Sequence, residues 1–119
     1  MVSETLQRVV FFLTAIKSNK DAVLIFEEPE SHTFPYYTKF LAETIALDEN
    51  NQYFISTHNP YFLLSVLEKS PKDEVGVFIT YFGDYQARAN PVSDKELQKV
   101  MDEGVDLFFN IEHFIEGKE

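Results

Sequence analysis

The chain contains no cysteine, so neither a disulfide nor a thiolate metal centre is expected. Glycine is scarce: Gly76, Gly83, Gly104 and Gly117 are the only four, and all lie beyond residue 75. Their placement excludes a Gly-x-x-x-x-Gly-Lys-Ser/Thr phosphate loop, whose main-chain N–H cradle needs glycine. Positive charge is also in short supply, with 10 Lys and Arg against 20 Asp and Glu and a net charge of -10. From Asp94 to Glu119 there are eight acidic and three basic side chains, so about half of the excess is concentrated there. Such a balance repels phosphate backbones and argues against direct nucleic-acid binding. No apolar run is long: Val9–Leu13, which no other run exceeds, cannot span a bilayer. The polar Ser3–Arg8 opening is not that of a signal peptide, so the expectation is a soluble, cytoplasmic chain without a membrane partner. No Gly-x-Ser-x-Gly occurs, and Ser56 has no recognisable oxyanion loop.

What is present is aromatic. Twelve Phe and six Tyr in 119 residues either fill a dense core or leave a patch that needs a partner. The length fits a single domain over residues 1–119. Leu6, Val9, Val10, Leu13 and Ile16 follow the helical period over Glu4–Lys17, with Ser3 as the expected N-cap. Ala22–Phe26 is uniformly apolar and predicts a parallel-sheet strand buried on both faces. Pro35–Leu47 predicts a helix with proline at its first position. Gln52–Ser56 predicts a second strand, and Pro60–Leu67 a short helix. Val75–Phe82 and Tyr85–Asn90 flank Gly83-Asp84 and predict a hairpin with glycine at positive φ. Ser93 is placed to cap a helix over Asp94–Asp102, and Asp106–Ile115 is apolar enough for a docked terminal helix. The class is therefore α/β, with a mostly parallel sheet followed by an antiparallel hairpin and helices.

Right-handed crossovers put the ends of the first two strands on one sheet edge, where open α/β sheets bind ligands. Two features meet there. The first strand runs into Glu27-Glu28-Pro29-Glu30, a carboxylate pair that gains nothing for a core but suits a cation or a polarised water. Taken alone, it reads equally well as a solvated strand-to-loop junction. The second strand ends in Ser56-Thr57-His58-Asn59-Pro60, a histidine at the start of a helix. Such a histidine is either a neutral hydrogen-bonding group aimed into the crevice or simply part of the helix cap.

In combination, Ala22–Pro29 and Ser56–Pro60 resemble the Walker B and switch-histidine motifs of ABC-class P-loop ATPases, an AAA-type group. The resemblance is greatest to the stand-alone ones related to the overcoming-lysogenization-defect and SMC-like proteins. Glu30–Pro35 continues it through the D-loop, and Thr5-Leu6-Gln7-Arg8 resembles the stretch just after the ABC signature, so roughly residues 3 to 68 are covered. The resemblance implies a partial P-loop-type sheet and a site that binds ATP and Mg²⁺. It implies Glu27 as the metal-shell acid, a departure from the more usual aspartate. Glu28 would be the catalytic carboxylate that positions the attacking water, and His58 the contact to the γ-phosphate. Val2-Ser3-Glu4 lacks the glycine of the signature, and the phosphate loop is absent. The expected partner is therefore a Walker A lobe or chain, without which this segment is expected to be inactive. Head-to-tail dimers in the family make self-association a further expectation.

Two other readings stand beside this one. The same sheet could serve as a non-catalytic oligomerisation or regulatory module. Alternatively, His32, two residues after Glu30, could join Glu27, Glu28 and His58 around a metal and support nuclease chemistry. His113, in the apolar tail, reads as a packed core histidine.

Overall fold

A computed structural model describes residues 2–103. The described chain forms two compact units that divide between Ser70 and Pro71.

The first unit contains α1 (Val2–Ser18), β1 (Val23–Glu27), α2 (Pro35–Leu47), β2 (Gln52–Ser56) and α3 (Pro60–Lys69). The α2 bounds are those expected, with Pro35 at the first position, where the missing N–H costs nothing. Helix α3 runs two residues past the expected Leu67. Ser3, the expected N-cap, lies within the bounds of α1.

β1 and β2 pair in parallel, from Val23 opposite Gln52 to Glu27 opposite Ser56. Because side chains alternate along a strand, this register sorts them into two rows. Leu24, Phe26, Tyr53 and Ile55 face a core built from Phe12 and Ile16 of α1, Leu41, Ala42 and Ile45 of α2, and Phe62 of α3. The Phe26 ring meets Phe12 edge-on at 5.0 Å and Tyr53 at 5.8 Å.

The other row is uncovered, which corrects the expectation of a strand buried on both faces. Ile25 is 79% exposed, and Val23 and Phe54 are each 56% exposed. The physical reason is that all three helices contribute to the same core and none crosses to the second face. Uniform hydrophobicity in β1 therefore records two apolar faces, of which this unit covers one.

At the opening edge of the sheet, turns 18–21 and 48–51 close on each other through Asp21 N–H to Asn50 O (2.7 Å) and Ala22 N–H to Asn51 Oδ1 (3.1 Å). The Tyr53 hydroxyl donates to Asp48, which also accepts from the Asn51 amide and the Asn50 backbone. Burial pushes the Asp48 carboxyl upward, but these hydrogen bonds and nearby Lys17 together hold it below its ordinary value. Burial and then the Asp48 carboxylate push the Tyr53 hydroxyl well above its ordinary value.

In the second unit a 3-10 turn (Lys72–Glu74) precedes an antiparallel hairpin of β3 (Phe78–Gly83) and β4 (Gln86–Pro91). Gly83 pairs with Gln86, so the turn residues are Asp84 and Tyr85, one later than expected. Both have positive φ, 52° and 63°, as a type I′ turn requires. The left-handed residues are thus not the glycine that carries the turn signal in the sequence.

Helix α4 (Asp94–Glu103) opens with the expected Ser93 cap. Ser93 Oγ accepts the Glu96 N–H (3.2 Å) and Glu96 Oε1 accepts the Ser93 N–H (3.1 Å), a reciprocal capping box. The expected helix over Asp106–Ile115, and His113 within it, lie outside the described residues. Among the described residues, no helix is long and apolar enough to cross a membrane.

Candidate functional site

The parallel register brings Glu27 and Ser56 to the same edge, and ladder pairing continues one step beyond as Glu28 N–H donates to Ser56 O (2.7 Å). There the backbone turns sharply. Glu28 takes φ = 44° and His32 φ = 61°, left-handed values that cost a non-glycine residue about 1–2 kcal/mol each. Pro29 between them is fully buried, which anchors the bend.

Helix α1 holds both left-handed residues by their carbonyl groups. Arg8 Nη2 donates to Glu28 O (3.3 Å), Arg8 Nε to Ser31 O (2.8 Å), and Thr5 Oγ1 to His32 O (2.9 Å). Arg8 also lies over the Phe12 ring, 5.5 Å from its centre. Thr5 and Arg8 are three apart in a helix and so lie on one side of it. A polar pair beside an apolar stripe is the sequence signal for their role.

On the β2 side, Asn59 Oδ1 accepts the N–H groups of Tyr61 (2.9 Å) and Phe62 (3.1 Å) and caps α3. Thr57 Oγ1 accepts the Asn59 N–H (3.1 Å) and donates to Glu30 Oε2 (2.9 Å). His58 stands between these two fixed residues with its ring exposed, and its Nδ1 meets Glu28 Oε1. Loops 30–33 and 58–61 line an open depression of about 380 Å³.

The structure therefore brings Glu28 and His58 together and leaves Glu27 apart. Glu27 belongs to the uncovered row of β1 with Val23 and Ile25 and lies beside Ser56. Among the described residues, no three His, Cys, Asp or Glu side chains converge to hold a metal ion. The four-residue cluster weighed from the sequence, His32 with Glu27, Glu28 and His58, is not gathered at one point: Glu28 and His58 meet, while Glu27 lies in the other row of β1 beside Ser56.

A carboxylate and an imidazole are thus in contact at the carboxyl edge of two parallel strands, ahead of a capped helix. Residues 1–65 match the family described as "AAA domain, putative AbiEii toxin, Type IV TA system", and the chain belongs to that family. The fold is also similar to that of a solved SMC ATPase chain, from a structural study of ATP-driven dimerization and DNA-stimulated activation. The TM-score is 0.55 at 13% sequence identity, covering 83% of this chain and 59% of that one. This chain thus spans less than two thirds of the length of that structural neighbour. No curated protein matches its sequence.

Proposed function

We propose that residues 2–70 supply the Walker B and switch-histidine edge of a Mg²⁺-dependent ATP-hydrolysing site. The observation that carries the reading is the contact between Glu28 and His58, which come from separate strands of one parallel pair. Glu28 is the general base: its carboxylate takes the proton of the attacking water and orients it toward the γ-phosphate. His58 donates to a γ-phosphate oxygen, stabilising the charge that develops there. Magnesium needs only one or two protein carboxylates, the rest of its shell being phosphate oxygen and water. The exposed carboxylate of Glu27 at the end of β1 fits that demand, and the ion would neutralise charge on the phosphate oxygens.

The phosphate loop must come from another segment or chain. The uncovered face of Val23, Ile25 and Phe54 supports this, being a sheet surface that lacks a second layer. Self-association, as in the ATP-driven dimerization described for the SMC ATPase, is part of the same proposal.

The test is ATP hydrolysis by the chain combined with a Walker A lobe of the same family. Glu28→Gln should reduce turnover about 10²–10⁴-fold, the range for losing a general base, while nucleotide binding persists. Unchanged turnover in Glu28→Gln sinks the assignment. Absence of turnover with every complementing lobe favours the non-catalytic oligomerisation module.

A further inference from the structure

Glu30 is the one carboxylate of the site region that the proposed chemistry leaves without a task. It is 5% exposed. Oε2 accepts the Thr57 hydroxyl, while the buried Oε1 has no hydrogen-bond partner. A buried acceptor left unsatisfied costs about 1–3 kcal/mol, so stability alone is a poor reason for a glutamate here. An apolar side chain of similar size would avoid that cost.

What the carboxylate does achieve is direction. Its backbone carbonyl is tied to Thr33, whose N–H and hydroxyl both reach it, and the loop carrying it is held from the other side by Thr5 and Arg8. Its side chain crosses to the β2 loop and accepts the hydrogen bond of the Thr57 hydroxyl. A threonine hydroxyl has one proton to give, so committing it to Glu30 leaves an oxygen lone pair facing the Asn59 N–H. Thr57 and Asn59 are the two neighbours of His58, and both orientations then trace back to Glu30.

We infer that Glu30 is a positioning residue that acts through Thr57 to hold the imidazole of His58 against Glu28. The inference rests on the ATPase reading for its purpose. The positioning itself is a property of the chain without nucleotide, so its test needs no turnover.

That test is a side-chain NMR measurement on the full chain. The ring resonance of His58, assigned by its disappearance in His58→Gln, is compared with and without Glu28→Gln in each background. In the wild-type background, loss of the Glu28 carboxylate should move that resonance. In Thr57→Val and in Glu30→Leu, which has no acceptor for the Thr57 hydroxyl, the same change should move it less than about half as far, the signature of a broken coupling. Thr57→Ser keeps the hydroxyl and should restore the full shift, a rescue that a general loss of packing would not give. Amide spectra report whether each variant is folded, and either Thr57→Val or Glu30→Leu is sufficient if the other is not.

A full shift in a folded Thr57→Val or Glu30→Leu variant overturns the inference. So does the absence of any Glu28-dependent shift in the wild-type background. Failure of ATP hydrolysis with an intact NMR coupling would count against the ATPase reading and leave the positioning role standing.

Discussion

Replacing Arg8 with alanine removes three interactions and exposes a strained bend. The Nε contact to Ser31 O at 2.8 Å is a charge-assisted hydrogen bond, and the Nη2 contact to Glu28 O at 3.3 Å is a longer one. The guanidinium also contributes a cation–π contact over Phe12, worth about 0.5–1 kcal/mol near a surface. Hydrogen bonds from charged donors are worth about 1.5–3 kcal/mol when well formed. Arg8 is only half-buried and one of its bonds is long. A net loss of about 2 kcal/mol is therefore the expectation for Arg8→Ala. Arg8→Lys keeps the charge but loses the planar fork, so it should lose about 1 kcal/mol. Lys20→Ala, at an exposed position with the same change in net charge, controls for the charge itself and should fall within about 0.5 kcal/mol of wild type. The assay is urea denaturation followed by far-UV circular dichroism, with the slope required to stay constant across the series. If Arg8→Ala and Lys20→Ala lose the same amount, the clamp on the Glu28 bend contributes nothing and the account of it is wrong.

Strained and titrating groups supply two further expected outcomes. Tyr85 sits at φ = 63° in the hairpin turn and is 95% exposed, so its ring contributes no packing. Tyr85→Gly creates the Asp-Gly pair preferred in such turns and should stabilise the hairpin by about 0.5–1 kcal/mol, read as a higher melting temperature. No rise would refute the turn assignment. Tyr53→Phe removes one of the hydrogen bonds that hold the Asp48 carboxyl low and should cost about 1 kcal/mol near neutral pH. A depressed carboxyl stabilises above its unfolded pKa, so the deficit should shrink as pH falls below about 4. A raised phenol stabilises below its unfolded pKa, so the deficit should shrink again above about pH 10. A deficit that stays constant in urea titrations from acid to alkali would contradict the pairing.

Which of these features could be read in the sequence depended on whether side chains or backbone carried them. Pro35 marks the start of α2 because its ring has one comfortable place in a helix, and the strand β2 ended where its apolar run ended. Glu28 and His58 were legible through topology: both follow an apolar strand, and handedness puts consecutive parallel strand ends on one edge. The hairpin turn was displaced by one residue because Gly83 carried the stronger turn signal, while Asp84 and Tyr85 took the left-handed positions. The uncovered face of β1 was invisible, since hydrophobicity reports what a surface avoids and not whether anything lies against it. Arg8, Thr5 and Thr57 were missed for another reason. Arg8 and Thr5 act on main-chain carbonyl groups, which every residue has, so no residue type flags the receiving end.

The in-register pairing of β1 with β2 has a consequence for how this chain can vary in length. Deleting one residue within Gln52–Ser56 would shift His58 by one strand step, about 3.3 Å, relative to Glu28. It would also turn Tyr53 and Ile55 out of the core and Phe54 into it, because a one-step slip exchanges the faces of a strand. Insertions in the turn 48–51 lie upstream of the ladder and leave both relations intact. Relatives of this chain should therefore differ in length between the helix and the strand that comes after it, and keep the two five-residue strands in step.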